Sequence, residues 1–336
     1  MQQIIVDKNQ AGQRFDKFLH KVLPNAGTGF LYKMLRKKNI TLNGKKAEGK
    51  EILVLNDTVC FFFSDETFQI FSGTDSNKDN SKENEYLKAY QTLKQIDVIY
   101  EDDNVVFLNK PVGVLTQKAN PEDISLNEWF IGYLLHKGAI QKETLKSFHP
   151  SVCNRLDRNT SGMVLCGKTL IGTQVLSKLI KDRSIKKFYR TICFGSMDET
   201  LKLNGYLKKD SGKNKVEIIK EKPKNVEAYD FIQTNIFPLS QTKDYSLLEV
   251  ELITGKTHQI RAHLASVNHA IIGDFKYGKQ SLNEMIKKQY KLNTQLLHAY
   301  RIEFPEKIDG ELKNLSGKIF IAEYPELFQK LQNIFF

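Results

Sequence analysis

The chain has 336 residues, with 50 lysines and arginines against 39 aspartates and glutamates, a formal charge of +11. A hydrophobic fraction of 40% beside 26% charged residues excludes a collagen-like, wholly disordered or disulfide-scaffold protein and supplies a sizeable core. Four scattered cysteines (Cys60, Cys153, Cys166, Cys193) form no CxxC pair, the start lacks a basic-then-apolar leader, and no apolar run approaches the roughly 18 residues of a membrane span, so reduced thiols and a cytoplasmic location off the membrane are expected.

Within residues 1–71, Phe15, Phe18, Leu19 and Val22 recur at helical spacing and predict one helix; Phe30, Leu31, Met34 and Leu35 predict a second. Asn43-Gly44 in the segment ITLNGKK is a hairpin signal, and residues 53–63 read as strand. Between residues 31 and 50, seven basic side chains (Lys33, Arg36, Lys37, Lys38, Lys45, Lys46, Lys50) face one acid, Glu48. A second basic stretch, residues 202–224, holds eight lysines against Asp210, Glu217 and Glu221. Either stretch alone reads as solvated surface, but two in separate parts of the chain favour a polyanionic partner. Residues 72–85 (SGTDSNKDNSKENE) contain no large apolar side chain and are expected to be a flexible linker. The expected division is a head at 1–71, a linker at 72–95 and a body at 96–336.

The body alternates strand and helix patterns. Strands are predicted at 96–100 and 105–109, a helix at 126–135, a strand at 163–166, and a helix whose face carries Ile171, Val175 and Leu179. A strand at 187–194 follows, then the alternation Ser246, Leu248, Val250, Leu252. A helix marked by Ile260, Leu264 and Val267, a strand at 296–304 and a closing helix with Leu327 and Leu331 complete the series. Without a steady βα rhythm, this pattern predicts an α+β body with a mixed, largely antiparallel sheet.

Residues 162–169 satisfy the phosphate-loop pattern GxxxxGK[ST] letter by letter. That loop needs small residues after a strand, whereas Met163–Cys166 themselves read as a buried strand and the polar CNRLDRNTS precedes them. No nucleotide cofactor is expected. The same polar segment places Asp157 between Arg155 and Arg158 in a loop, which on residue types alone is equally a structural or a catalytic arrangement. Further on, LITGKTHQIR (252–261) runs from a strand into a helix whose start collects Thr257, His258, Gln259 and Arg261, a position suited to an anionic group. His258 and His263 are five apart and do not share a helical face; with no CxxC, HxxxH or HxE element, no metal is expected.

These motifs together resemble the RluA/RluC/RluD family of pseudouridine synthases. The resemblance covers most of residues 96–305 through Asn109-Lys110-Pro111-Val112-Gly113, RLDxxTSG at 155–162 and Lys187-Phe188-Tyr189. It continues through LxTGKTHQIRxH at 252–263, GDxxYG at 273–278 and LHA at 297–299. Asn154 stands where the family often has His. The head is similar to the S4 RNA-binding domain in Arg14-Phe15-Asp16-Lys17-Phe18-Leu19, the basic second helix, the Asn43-Gly44-Lys45 turn and Asp57 before Val59.

The resemblance implies isomerisation of uridine to pseudouridine in RNA without a cofactor. It implies that Asp157 is the catalytic carboxylate, paired with Arg261, and that Tyr189 stacks on the uracil and serves as an acid or base. Arg155 would enter the space left by a flipped nucleotide, Leu297 would supply an apolar pocket wall, and Lys110 would belong to the substrate pocket floor. Lys33, Arg36, Lys37, Lys38, Lys45 and Lys46 would bind RNA. Large-subunit ribosomal RNA is the expected substrate and a monomer the expected state; the alternatives are transfer RNA as substrate, or a non-catalytic RNA-binding or ribosome-assembly role.

Overall fold

A computed structural model describes residues 1–7, 9–73, 76–210, 215–221 and 229–336, with side chains described at all of these except 76–82, 143, 146 and 210. The head contains β1 (Gln2–Ile5), α1 (Phe15–Val22), α2 (Thr28–Arg36), β2 (Ile40–Leu42), β3 (Lys45–Lys46), β4 (Thr58–Phe61) and α3 (Asp65–Ser72). Its antiparallel sheet runs β1-β4-β2-β3. The apolar stripes of α1 and α2 supply Phe15, Phe18, Leu19, Leu31 and Leu35 to a core closed by Ile40, Val59 and Phe61. Asn43 (φ 52°) and Gly44 (φ 71°) form the expected two-residue turn between β2 and β3. The strand expected over 53–63 shrinks to the four residues of β4. Asn56 takes a left-handed φ of 69°, and the Asp57 carboxylate accepts the Val54 N–H at 2.7 Å and the Asn43 amide at 2.7 Å, which fixes a turn ahead of β4.

The segment expected as a free linker, 72–95, instead carries helix α4 (Ser76–Thr92), although residues 74 and 75 lie outside the described residues. Ala89 is buried, and Tyr86, Tyr90 and Leu93 pack against the body core. The helix docks on α5 (Leu126–His136). A methyl group on Gly132 of α5 would lie 2.1 Å from the Tyr86 carbonyl oxygen, so the two helices meet where only a glycine fits. The apolar side chains at 86–93 are the reason: they lie past the polar run that suggests a linker.

The body continues with β5 (Asp97–Glu101), β6 (Val105–Lys110), β7 (Ser151–Val152), β8 (Ser161–Gly167), α6 (Leu170–Lys181) and β9 (Lys186–Phe194). Then come β10 (Leu201–Asp210), β11 (Lys215–Ile219), β12 (Asp230–Gln241), β13 (Tyr245–Leu252), α7 (Gln259–Ser266), α8 (Gln280–Tyr290), β14 (Leu297–Glu303), β15 (Ile319–Ile321) and α9 (Glu326–Phe335). Among the described residues, eleven strands join one sheet in the order β11-β10-β12-β13-β9-β14-β8-β6-β5, with β15 beside β14 and β7 beside β8. Every pairing is antiparallel except β8 with β14, which gives the mixed, largely antiparallel sheet of an α+β fold. Every residue of β8 is buried, as suits a strand covered on both faces.

The phosphate-loop letters thus fall on β8 and its exit. Lys168 Nζ pairs with Glu101 at 2.8 Å and donates to the Asp102 carbonyl at 2.8 Å, while Thr169 caps α6 by accepting the Gly172 N–H. In α6 the buried positions are Leu170, Gly172 and Leu176; Ile171 is exposed and Val175 and Leu179 are half-buried, so the face is rotated from the expected one. Gly172 packs directly on the Asn104 carbonyl, which sets that rotation. The second basic stretch forms β10 and β11, with Leu207 and Val216 inward and Lys202, Lys208 and Lys209 exposed; Lys213, Lys222 and Lys224 lie outside the described residues. No helix among the described residues is long and apolar enough to cross a membrane.

Candidate active site

The loop from Cys153 to Thr160, between β7 and β8, is pinned at nearly every residue. Asn154 acts like a short stretch of strand: its Oδ1 accepts the Leu165 N–H at 2.7 Å and its Nδ2 donates to the Met163 carbonyl at 3.3 Å. The Thr116 hydroxyl donates to the Leu156 carbonyl and accepts the Leu156 N–H, at 2.9 and 3.1 Å. The Arg158 carbonyl accepts from the Gly113 N–H and from Lys110 Nζ, and Thr160 N–H donates to the Asp157 carbonyl. A loop held by its own backbone groups keeps its side chains in place without help from a ligand.

Asp157, at the tip of this loop, is 28% exposed where two clefts of about 430 and 800 Å³ meet. Arg261, near the start of α7 and nearly buried, donates from Nη1 to Asp157 Oδ2 at 3.2 Å. The rest of its guanidinium grips Asp274, from Nε to Oδ2 at 2.7 Å and from Nη2 to Oδ1 at 2.9 Å. Asp274 is 1% exposed and also accepts the N–H groups of Lys276 and Tyr277. Burial works against the Arg261 charge, but the hydrogen bonds and charge of Asp274, followed by the charge of Asp157, outweigh it and raise its pKa. The arginine is thereby a fixed cation presented to Asp157.

Tyr189 sits on β9 opposite Val250 of β13 and Ala299 of β14, and with Leu297 it lines the smaller cleft. Burial, and then the Asp157 charge, push its phenol pKa well up, so it is a neutral O–H. Arg155 is exposed and lines both clefts. Arg158 turns away from the carboxylate and donates from Nε to the Gly113 carbonyl at 3.1 Å. Lys110 lies behind the clefts and lines neither, which corrects its expected place in the substrate pocket floor. Fully buried, it spends its ammonium on the carbonyls of Pro111, Val114 and Arg158, at 2.9, 2.9 and 3.1 Å. Burial lowers its pKa to about 7, against the opposing pull of Asp157. It ties the turn after β6 to the Asp157 loop.

Two contributors stand in segments visible in the sequence, but without the role the fold gives them. Asp274 lies in the visible GDxxYG segment, but its grip on Arg261 is a tertiary contact. His258, the residue before α7, has φ 55° and ψ 15°; its Nε2 lies 3.8 Å from Asp157 Oδ2 and its Nδ1 3.0 Å from the Tyr277 hydroxyl. Gln259, by contrast, is committed to the fold, with its amide on Gln233, Thr234, Thr254 and the Lys256 N–H. The smaller cleft is rimmed by Lys181, Arg183, Lys187 and Lys256, which gives it a basic edge. Lys187 is half-buried there, and burial, then Arg183, lower its pKa. Among the described residues, no three His, Cys, Asp or Glu side chains cluster as a metal site requires.

Residues 104–266 match the RNA pseudouridylate synthase family. The chain is 31% identical to an uncharacterized RNA pseudouridine synthase of Mycoplasma genitalium over 306 residues, covering 90% of this chain and 88% of the relative. It is 30% identical to the ribosomal large subunit pseudouridine synthase C of Rickettsia bellii, over 94% of this chain and 97% of the relative. It is 27% identical to the ribosomal large subunit pseudouridine synthase D of Neisseria meningitidis, over 92% of this chain and 76% of the relative. The solved structure of human RNA pseudouridylate synthase domain containing 4 shares the fold, with a TM-score of 0.56 and 20% identity over 74% of this chain and 95% of that one.

Proposed function

The chain belongs to the RNA pseudouridylate synthase family, and from that premise we propose that Asp157 isomerises specific uridines of large-subunit ribosomal RNA. The observation that carries this reading is the Asp157 carboxylate, open to two clefts and anchored on an arginine that Asp274 immobilises. The reaction breaks the N1–C1′ bond, turns the uracil, joins C5 to C1′, and moves the C5 proton away while N1 gains one. Atoms balance without an added reagent. Attack at C1′, addition to the base and removal of the 2′ proton each need one exposed carboxylate oxygen, and the Arg261 guanidinium holds the group in place.

In this reading Tyr189 and Leu297 form the walls that receive the uracil, and the neutral Tyr189 hydroxyl serves as a proton donor or relay. Arg155, exposed at the mouth of both clefts, fills the gap left by the extruded nucleotide; stacking of its guanidinium offsets part of the few-kcal/mol cost of unstacking. The head, residues 1–71, acts as an S4-like RNA-binding unit. Lys33, Arg36, Lys37, Lys38, Lys45 and Lys46 lie on α2, β3 and the adjoining turns, where they can neutralise phosphates. The names of the relatives in Rickettsia bellii and Neisseria meningitidis support ribosomal RNA as the target.

The test is release of tritium from RNA labelled at uridine C5, because joining C5 to C1′ displaces that hydrogen. Release from ribosomal RNA by the wild type and not by Asp157→Ala supports the reading. Release from transfer RNA alone moves the substrate, and retained release by Asp157→Ala removes Asp157 from the chemistry.

A further inference from the structure

The two oxygens of Asp157 have unlike surroundings. Oδ2 accepts from Arg261 and faces His258 Nε2 at 3.8 Å, whereas Oδ1 meets no donor among the described residues. His258 occupies a left-handed backbone position, which glycine or asparagine adopts more readily, and its side chain makes no cap to α7. The backbone therefore gives no reason for an imidazole here. The hydrogen bonds around the ring do.

The Val216 N–H of β11 donates to the Tyr277 hydroxyl oxygen at 2.9 Å. His258 Nδ1 lies 3.0 Å from the same hydroxyl, where it can accept the one Tyr277 proton. In that arrangement the neutral ring carries its own proton on Nε2, on the side of Asp157. The charged and titratable groups around the ring are Asp157, Arg261, Lys276, Asp274 and Tyr277. Burial lowers the imidazole pKa, Arg261 and Lys276 act in the same direction, and Asp157 and Asp274 oppose them, so the neutral form prevails.

We propose that His258 is a positioning residue whose Nε2–H, oriented by Tyr277, closes onto Asp157 Oδ2 when RNA fills the cleft and leaves Oδ1 as the reacting oxygen. This rests on Asp157 being the reacting carboxylate. Two donors on one oxygen, from Arg261 and His258, stop the carboxylate from rotating about its Cβ–Cγ bond. The chain of contacts ends on the backbone of edge strand β11, so the seating of that strand sets which ring nitrogen carries the proton.

The experiment uses the full chain and C5-tritiated ribosomal RNA, with enzyme in excess so that the rate of one turnover and the RNA affinity are read separately. Absence of turnover by the wild type would overturn the proposed function, a result distinct from any of those below. His258→Ala is expected to slow the turnover roughly tenfold to a hundredfold, the scale of one hydrogen bond to a charged group, with RNA affinity unchanged. His258→Gln carries its amide at about the reach of Nε2 and is expected to recover most of the rate. His258→Asn suits the left-handed backbone better but places its amide at the reach of Nδ1, and is expected to stay as slow as the alanine variant. A purely structural role predicts the reverse order. Nitrogen-15 shifts of the His258 ring, assigned by its loss in His258→Gln, should show the Nε2-protonated neutral form in the wild type and a mixture of tautomers in Tyr277→Phe. An asparagine variant faster than the glutamine variant, a glutamine variant no faster than alanine, or a wild-type ring protonated on Nδ1 overturns the proposal.

Discussion

The Asp157 loop and the basic face of the head are both polar, and they are built in opposite ways. The loop is short, half-buried and held through the Asn154 side chain, the Leu156 and Arg158 backbone and the Arg261 pair, so its carboxylate sits still before any substrate arrives. The six basic side chains of the head are lysines and an arginine on flexible stems at the surface. A pinned carboxylate is suited to lowering a barrier, whereas a spread of mobile charge is suited to attracting a polyanion and tolerating its motion. Damage to the first should therefore be seen in rates, and damage to the second in affinities.

The largest expected effect is at the loop. Asp157→Asn keeps the shape of the side chain and removes its charge; tritium release should fall at least about a thousandfold, roughly 4 kcal/mol of barrier, while RNA affinity stays near that of the wild type. Replacing Lys33, Arg36, Lys37, Lys38, Lys45 and Lys46 together by glutamine should do the converse. RNA affinity should weaken by roughly ten- to a hundredfold and the salt slope should shallow by about 0.7 to 0.9 for each phosphate no longer neutralised, with the single-turnover rate at saturating RNA unchanged. A salt titration of binding checks both, and an unchanged slope would remove the head from RNA contact.

Acid should strike the body through buried histidine. His298 is fully buried, with Nδ1 on the Ser161 hydroxyl at 2.8 Å and Nε2 on the Ala322 carbonyl at 3.0 Å, and burial lowers its pKa to about 4. A histidine whose folded pKa is depressed is neutral in the fold. Its contribution is complete above the ordinary value near 6.5 and is lost as pH falls toward 4, about 2 kcal/mol of it by pH 5. The urea midpoint should drop between pH 7 and pH 5, and His298→Gln should flatten that drop. The smallest effect tests the loop's support alone. Asn154→Ala removes two bonds to β8 and should cost about 1 to 2 kcal/mol in stability, with a measurable loss of rate and no change in RNA affinity. A variant that weakened RNA binding instead would blur the division between the two regions.

Much of this layout is legible in the sequence, and the exceptions share a physical cause. The helix stripe Phe15, Phe18, Leu19, Val22 and the Asn43-Gly44 turn are local signals and fold as read. The RLDxxTSG and HQIR segments point to Asp157 and Arg261 because both carry their chemistry in adjacent residues, and the fold brings them within 3.2 Å. Strands β10 and β11 are hidden by their lysines, since a strand with one solvated face resembles a charged stretch when its alternation is weak. Helix α4 is hidden by a polar first half, while its anchor, Ala89 buried in the body core, lies further along. Lys110 is misplaced because nothing local reveals that three carbonyls will converge on its ammonium. Asp274 and His258 act only through contacts between distant segments, and no periodicity reports those.

The parallel pairing of β8 with β14 carries one more consequence. Gly162 follows directly on the Asp157 loop, has φ 110°, and would bring a methyl group within 2.3 Å of the Ala299 carbonyl. Leu297 and Tyr189 flank that same seam. A substitution at 162 would therefore part the strands and shift the carboxylate, the tyrosine and the leucine in one movement. Side chains on the rim of the clefts or in the head, by contrast, can be changed with the seam left closed.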